Sequence, residues 1–164
     1  MRALLSILLG SLLLAPTSIP AIAADTDDNW LVAEGQRNGF PIIVRAKAEL
    51  PEHRIRKQYG WLTVITWTYS VESGGLPGAD ENQKMNNLED TIESRLEATG
   101  LCMAVASRTG NGKKEWSYYV RDRDEFISAF NKVMHGKPRL PLTMHFYHDP
   151  AWQELNRLLD SVKR

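Results

Sequence analysis

The segment from Trp61 to Tyr69 constrains the fold of this chain most strongly. Aromatic and β-branched residues follow one another there without a single charge, and such residues favour strands. Because side chains alternate along a strand, Trp61 and Trp67 share one face while Val64 lies on the other. Both faces are therefore partly apolar, which indicates a central strand of a sheet that is covered on at least one side.

Helices and further strands follow this central strand in a regular order. Apolar residues at helical spacing predict a helix that ends before Gly100, its expected C-terminal cap. Two strands, 101–107 and 115–121, are then predicted around the turn Thr109–Gly112. A second helix is predicted over 122–134, where Asp122 followed by Glu125 resembles a capping box, and a strand is predicted over 142–148.

The two ends of the domain add further elements to this core. Strands are predicted over 30–34 and 41–47, with a turn over 35–39, and a charged loop over 50–58. At the other end, Asp149 and Pro150 are expected to open a last helix. The order predicts an α+β fold: a ferredoxin-like βαββαβ core with both helices on one face of an antiparallel sheet. An N-terminal β-hairpin would extend the sheet of that core, and a C-terminal helix would extend the core by covering an edge or an end of the sheet.

The N-terminus has the three parts of a cleavable signal peptide. Met1 and Arg2 are followed by the mainly apolar run Ala3–Ala15, and Ala21 and Ala23 are small residues at the positions that signal peptidase reads. We expect cleavage after Ala23, export to the periplasm or the medium, and no stable membrane anchor afterwards. Residues 24–29 are expected to be a disordered lead-in, and residues 30–164 a single domain.

Charge and cysteine content narrow the functional classes. The chain has 20 basic and 20 acidic residues, so it offers no strong field for nucleic acid, and we expect no nucleic-acid partner. Cys102 is the only cysteine, which leaves no internal disulfide. Stability must therefore come from an apolar core, which a mature chain of this length can form.

An ordered set of short motifs resembles a known bacterial family. The set runs along nearly the whole mature chain: Trp30, Gly39-Phe40-Pro41 leading to Arg45, Trp67-x-Tyr69, Gly75-Leu76-Pro77, Leu88-Glu89-Asp90, Glu115-Trp116-x-Tyr118-Tyr119 and Asp149-Pro150-x-Trp152. It resembles the domain-of-unknown-function family numbered 695. The resemblance implies an α+β fold and supplies no catalytic residues.

Aromatic strand residues and one glycine-rich loop are the candidate binding surface. In the predicted topology one sheet face is free of helices, and aromatic residues there could stack on a sugar, a peptide or another small ligand. Packing inside the core is the alternative use of the same side chains. Glycines in the loop would let a partner approach the backbone closely. The candidate binding residues are Arg45, Trp67, Tyr69, Gly75, Pro77, Glu81, Trp116 and Tyr118.

The residue types that carry catalysis are poorly arranged for it. His145 and His148 lie three apart on one strand, so they would point to opposite faces and could not share a metal. Cys102 stands among apolar residues, where a thiol is inert. We therefore expect no catalytic residue, no metal and no cofactor.

The sequence thus predicts an exported, non-catalytic domain that binds a small ligand or an envelope protein. The alternative is a small hydrolase that uses carboxylates or His145 in a cleft beside the Gly74–Glu81 loop. A third possibility is a structural partner in an envelope complex, held through an exposed sheet edge.

Overall fold

The computed structural model describes residues 23–25, 29–71 and 74–162 of the chain. The predicted signal peptide lies outside the described residues except for Ala23. Ala24 and Asp25, which we expected in a disordered lead-in, form part of a short edge strand instead. Their backbone pairs with Leu31 and Trp30 of the neighbouring strand.

One antiparallel sheet runs through the described part of the chain. Its seven strands lie in the order β1-β2-β3-β5-β6-β4-β7, and all their pairings are antiparallel. The strands are β1 (Ala23–Asp25), β2 (Trp30–Arg37), β3 (Phe40–Lys47), β4 (Trp61–Thr68), β5 (Cys102–Gly110), β6 (Lys113–Val120) and β7 (Leu142–His148). The predicted α+β class with an antiparallel sheet is confirmed. The predicted ferredoxin-like core has four strands, whereas this sheet has seven and a different strand order.

Two tight turns make the hairpins longer than the sequence predicted. Asn38 and Gly39 connect β2 to β3, and both have positive φ, at 53° and 80°. Two-residue turns with positive φ at both positions match the twist of paired strands. The turn is thus shorter than the predicted segment 35–39, and β2 continues to Arg37. Asn111 and Gly112 form the same kind of turn between β5 and β6.

Four α-helices connect or cover the strands of the described chain. They are α1 (His53–Arg56), α2 (Ala79–Arg95), α3 (Arg123–Met134) and α4 (Gln153–Val162). The sequence did not predict α1, a single turn within the charged loop that contains no buried residue. Asp122 caps α3 as predicted, because its carboxylate accepts a hydrogen bond from the Glu125 amide at 2.8 Å.

The last helix begins later than the sequence predicted. Trp152 has a φ of +58°, which is not a helical conformation, so α4 begins only at Gln153. Pro150 therefore precedes α4 rather than lying in its first turn. Asp149 still caps the helix, since its carboxylate oxygens accept hydrogen bonds from the amides of Gln153 and Glu154. None of the helices in the described part of the chain is both long and apolar enough to cross a membrane.

Helices pack on both faces of the sheet. On one face α2 and α3 bury Met85, Leu88, Ile92 and Phe126 against the aromatic side chains of β4 and β6. On the opposite face α4 buries Leu155 and Leu159, and Trp152 stacks on Tyr119 with ring centroids 3.8 Å apart. The prediction that the C-terminal helix covers an edge or an end was wrong in this respect, because α4 covers a face.

Candidate functional site

A polar cleft lies between α2 and the side of the sheet formed by β2, β3 and β5. Its volume is about 260 Å³, and we call it the helix-side cleft. It lies beside the core because three strands extend the sheet past the end of α2. The lining residues that carry charge or aromatic rings are Trp30, Arg45, Lys47, Glu89, Glu93, Glu97, Trp116 and Tyr118.

Two cations of β3 form one wall of the cleft. Arg45 and Lys47 are two residues apart on a strand, so their side chains share the face that α2 covers. Both stack on Trp30 of β2, with Arg45 Cζ 4.6 Å and Lys47 Nζ 4.5 Å from the ring centroid. Within the described residues neither cation has a carboxylate within 4.0 Å. Their hydrogen-bond donors are therefore available to a ligand.

Three carboxylates form the opposite wall. Glu89 and Glu93 are four apart on α2 and so share one helix face, and Glu97 follows in the 3₁₀ turn Glu97–Thr99. Glu89 is already neutralised, because its Oε2 accepts from Lys114 Nζ at 2.7 Å and from Trp116 Nε1 at 2.9 Å. Glu93 is exposed and makes no ion pair with any described residue.

Glu97 is the carboxylate most affected by its surroundings. Burial raises the pKa of Glu97 above its ordinary value, although the amide of Ala104 and the positive charge of Lys47 partly oppose this effect. Only its Oε1 is used by the fold, as acceptor for the Ala104 amide at 2.9 Å. A positive group brought near its other oxygen would relieve the cost of keeping this carboxylate charged.

Tyr118 places a neutral hydroxyl in the cleft. Its side chain is 2% exposed, and its hydroxyl makes no hydrogen bond within the described part of the chain. Burial, followed by the charges of neighbouring acidic groups, raises its pKa well above the ordinary value. Tyr118 therefore stays protonated at physiological pH and can donate a hydrogen bond to a ligand.

The structure divides the predicted site residues into two groups. Arg45, Trp116 and Tyr118 line the helix-side cleft. The other five do not: Gly75 and Pro77 lie in the glycine-rich loop, Trp67 and Tyr69 lie at the strand end beside it, and Glu81, which was predicted in the loop, lies in the first turn of α2. Trp67 and Trp116 do not lie on a free sheet face, because the helices α2 and α3 cover them. The prediction of an open aromatic platform was wrong for this reason.

The loop residues are used to hold the loop against the sheet. Trp67 Nε1 donates to Glu81 Oε1 at 2.5 Å, and the hydroxyl of Tyr69 donates to the carbonyl of Gly75 at 3.1 Å. Gly75 has a φ of +80° and lies so close to Phe40 that an added Cβ would be 2.9 Å from that ring. Pro77 follows in the same loop and is half-buried. These contacts show that this second group of residues has a structural role.

Several cleft residues were missed by the sequence analysis. Glu89 and Glu93 of α2 were not among the predicted site residues, since a charged helix face usually meets solvent. Their spacing of four residues, continued by Glu97, was the available signal. Lys47 and Trp30 could not be assigned to the cleft, because only the pairing of β3 with β5 brings them over α2.

A larger groove lies on the opposite face, between α4 and the sheet. Its volume is about 830 Å³, and its walls include Val64, Val105 and Leu155. The charges in it are already paired or capped: Arg108 lies 3.9 Å from Glu115, and Asp149 accepts hydrogen bonds from Tyr119 and two amides. Charged side chains without partners therefore distinguish the helix-side cleft from this groove.

Glu81 and His145, which the sequence offered for a hydrolase, do not lie together. Glu81 bonds Trp67 on the helix-covered face, whereas His145 pairs with Val64 of β4 and lies exposed towards the other face. His148 turns instead to Trp61, with ring centroids 4.9 Å apart. Across the described ranges no three His, Cys, Asp or Glu side chains are grouped closely enough to hold a metal ion.

Comparisons with known proteins give a family and no close relative. Neither the curated proteins nor the solved structures gave a match to this chain. The sequence model of the family of unknown function DUF695 matches residues 28–158, which include every strand and helix from β2 to β7 and most of α4. The resemblance drawn from the ordered motifs is thereby confirmed, and the chain belongs to the DUF695 family.

Proposed function

We propose that this protein is a non-catalytic ligand-binding domain and that the helix-side cleft is its binding site. The observation that carries the proposal is the set of unpaired groups in that cleft. Arg45 and Lys47 have no carboxylate partner there, although acidic side chains form the facing wall. A concave site with a few convergent polar groups and aromatic walls is the usual form of a small-molecule site.

Some charged groups of the helix-side cleft are partly removed from water. Burying a polar or charged group without a partner costs free energy, and a bound ligand that supplies the partner recovers it. Glu97 carries part of this cost, since burial raises the pKa of its carboxyl group. Groups held ready in this way favour binding, because little side-chain order remains to be imposed.

Catalysis is not part of the proposal. Nucleophilic catalysis needs an activated group within hydrogen-bond reach of a base. The thiol of Cys102 is 1% exposed, and burial together with the nearby charge of Glu97 raises its pKa to about 12. Such a thiol is protonated and inert at neutral pH.

We also propose that the domain works outside the cytoplasm. The arrangement of Arg2, the apolar run Ala3–Ala15 and the small residues Ala21 and Ala23 supports export by a cleaved signal peptide. For the fold, we infer that β4, α2, β5, β6, α3 and β7 form a ferredoxin-like unit within the larger sheet, since β6 and β7 flank β4 on its two sides.

A ligand screen against the mature chain tests the proposed site. The chain from Ala24 would be mixed with a panel of small charged metabolites, and thermal shifts would be followed by calorimetric titration of each compound that stabilises it. We expect at least one such compound, and we expect Arg45→Gln to weaken its binding about tenfold or more, as for loss of a charged hydrogen bond.

Arg108→Gln is the matched control, because it removes the same charge from the groove on the opposite face. It should leave the titration unchanged. The proposed function is wrong if no compound stabilises the chain, or if every binder titrates equally with both variants. If the wild type, Arg45→Gln and Arg108→Gln all recovered the same protein partner from the periplasm with equal yield, the result would favour a role in protein interaction instead.

A further inference from the structure

The charges of the helix-side cleft are segregated between its two walls. The cations come from β3, through Arg45 and Lys47, and the available carboxylates come from the C-terminal end of α2 and the 3₁₀ turn after it, through Glu93 and Glu97. Glu89 is not an available carboxylate, because Lys114 and Trp116 already donate hydrogen bonds to its Oε2. Two unpaired positive groups therefore face two unpaired negative groups.

The strand-side wall is suited to a carboxylate. The guanidinium of Arg45 lies over the Trp30 ring, with Cζ 4.6 Å from the ring centroid, and its N–H groups have no bonded acceptor among the described residues. A planar guanidinium with free donors can hold a carboxylate with two parallel hydrogen bonds. Lys47, stacked on the same ring, adds a second positive charge beside it.

The helix-side wall is suited to a protonated amine. Glu97 keeps one carboxylate oxygen outside its bond to the Ala104 amide, and Glu93 is one helical turn before it. An ammonium group has three donors and can bridge two carboxylates. The positive charge would also offset the desolvation that disfavours the charged form of Glu97.

The balance of the four unpaired charges selects against ligands of one sign. A simple anion would be held by β3 but would face Glu93 and Glu97, and a simple amine would face Arg45 and Lys47. A molecule that carries both charges at opposite ends meets attraction at each wall. The volume of about 260 Å³ equals that of roughly nine water molecules in the liquid, so the ligand is small.

We propose that the helix-side cleft binds a small zwitterion of the amino-acid class, with its carboxylate on Arg45 and Lys47 and its ammonium group on Glu93 and Glu97. This inference rests on the proposed function, because it names the ligand of the same site. Tyr118 supplies a neutral donor between the charged walls, and Trp116 supplies an aromatic surface for the ligand's side chain.

Three matched sets of compounds test the inference by calorimetric titration. The first contains free amino acids, the second their N-acetyl derivatives, which keep only the carboxylate, and the third their amides, which keep only the amine. We expect the best free amino acid to bind at least about tenfold more tightly than either derivative, since each derivative loses one charged contact.

Variants then assign each charge to its wall. Arg45→Gln should weaken the free amino acid and its N-acetyl derivative, yet leave the amide unchanged. Glu97→Gln should weaken the free amino acid and the amide, yet leave the N-acetyl derivative unchanged. Retention of the wild-type melting temperature by each variant, and unchanged binding by Arg108→Gln, would show that the losses are local to the cleft.

The outcomes separate the ligand class from the site itself. Equal affinity for a free amino acid and its N-acetyl derivative or its amide would overturn the zwitterion inference, as would a failure of all three sets. If a compound of another class then bound in an Arg45-dependent way, the cleft would remain a ligand site. If nothing bound in that way, the proposed function would fail as well.

Discussion

Asp149 is the residue that ties the sheet to the last helix. Its carboxylate accepts a 2.6 Å hydrogen bond from the Tyr119 hydroxyl and bonds from the Gln153 and Glu154 amides. Burial alone would raise the pKa of Asp149, but these hydrogen bonds and the charge of Arg157 outweigh it, so the pKa lies below its ordinary value of 3.8.

A lowered pKa in the folded state means that the Asp149 carboxylate stabilises the fold above its unfolded pKa. That stabilisation is lost as the pH falls from about 4 through the lower folded value. We expect Asp149→Asn to reduce the free energy of unfolding by about 2 kcal/mol at pH 7, from weakened capping and a poorly paired Tyr119 hydroxyl. The variant should also lose less stability than the wild type on acidification in this range.

Denaturant unfolding at pH 7 and at several acidic pH values measures both effects. Asp160→Asn is the matched control, because it removes the same charge from an exposed position of α4. It should change stability by no more than about 0.5 kcal/mol. Equal pH profiles for the wild type and Asp149→Asn would contradict the role assigned to this carboxylate.

Cys102 gives a second prediction at the level of a single side chain. With the thiol pKa raised to about 12 by burial, only about one molecule in ten thousand carries a thiolate at pH 8. We expect no measurable alkylation of the native chain by iodoacetamide over an hour, followed by mass spectrometry. The chain unfolded in denaturant is the control and should be fully labelled. Comparable labelling in both states would show that the thiol is not shielded.

At the level of elements, the two hairpin turns differ in how tightly they are packed. Gly39 and Gly112 both have positive φ. An added Cβ at Gly39 would meet nothing within 4 Å, whereas at Gly112 it would lie 2.9 Å from Val71 Cγ2 and 3.3 Å from the Tyr69 carbonyl oxygen. Gly112 also accepts the Tyr69 amide at 2.9 Å, so this turn anchors the end of β4.

We therefore expect Gly112→Ala to destabilise the protein more than Gly39→Ala does. The left-handed backbone costs an alanine about 1–2 kcal/mol at either position, and overpacking adds about 1 kcal/mol or more at Gly112 only. Denaturant unfolding of the two variants, compared with the wild type, measures the difference. Equal losses would indicate that Val71 and the end of β4 shift freely to admit the methyl group.

Elements were predictable where one local pattern determined them. The helical spacing of Met85, Leu88 and Ile92 predicted α2, and the cap formed by Asp122 predicted where α3 begins. The start of α4 was not predictable, because it depends on Trp152, which turns back under the sheet to stack on Tyr119. No periodicity in the sequence contains that long-range contact.

The candidate site was predictable only in part for a similar reason. Arg45, Trp116 and Tyr118 were identified by residue type, and the structure brings them together in one cleft. The facing carboxylates were not identified, because a charged helix face looks the same in sequence whether it meets water or another part of the chain. Pairing of β3 with β5, which decides this, joins residues 60 to 68 positions apart.

At the scale of the whole molecule, the sheet is the middle of three layers, and its aromatic residues are divided between two cores. Trp67, Trp116 and Tyr118 belong to the core under α2 and α3, and Tyr119 belongs to the core under α4. Because helices cover both faces, the described residues offer no broad stacking surface, and the proposed ligand site is confined to the edges of these layers. The helix-side cleft is such a place, where the sheet extends past α2.

The same layered arrangement predicts which part of the N-terminus the fold needs. Trp30, 9% exposed, is the first residue of the described chain in the buried core, while β1 is a three-residue edge strand that pairs only with β2. The predicted cleavage after Ala23 passes through β1. We expect chains beginning at Ala24 and at Asp28 to have free energies of unfolding within about 0.5 kcal/mol, because so short an edge strand adds little.

Expression of the full chain in a bacterium, followed by intact-mass measurement of the exported protein, tests the cleavage itself. The mature protein should begin at Ala24, and Ala23→Arg should leave an unprocessed precursor, because signal peptidase requires a small residue there. A mature protein that starts elsewhere would overturn the predicted cleavage site.

Trp30→Ala is the comparison for stability and should cost about 3 kcal/mol or more, since it removes a large side chain buried beneath two cations. A chain from Asp28 that unfolds as readily as Trp30→Ala would mean that β1 contributes to the stable fold.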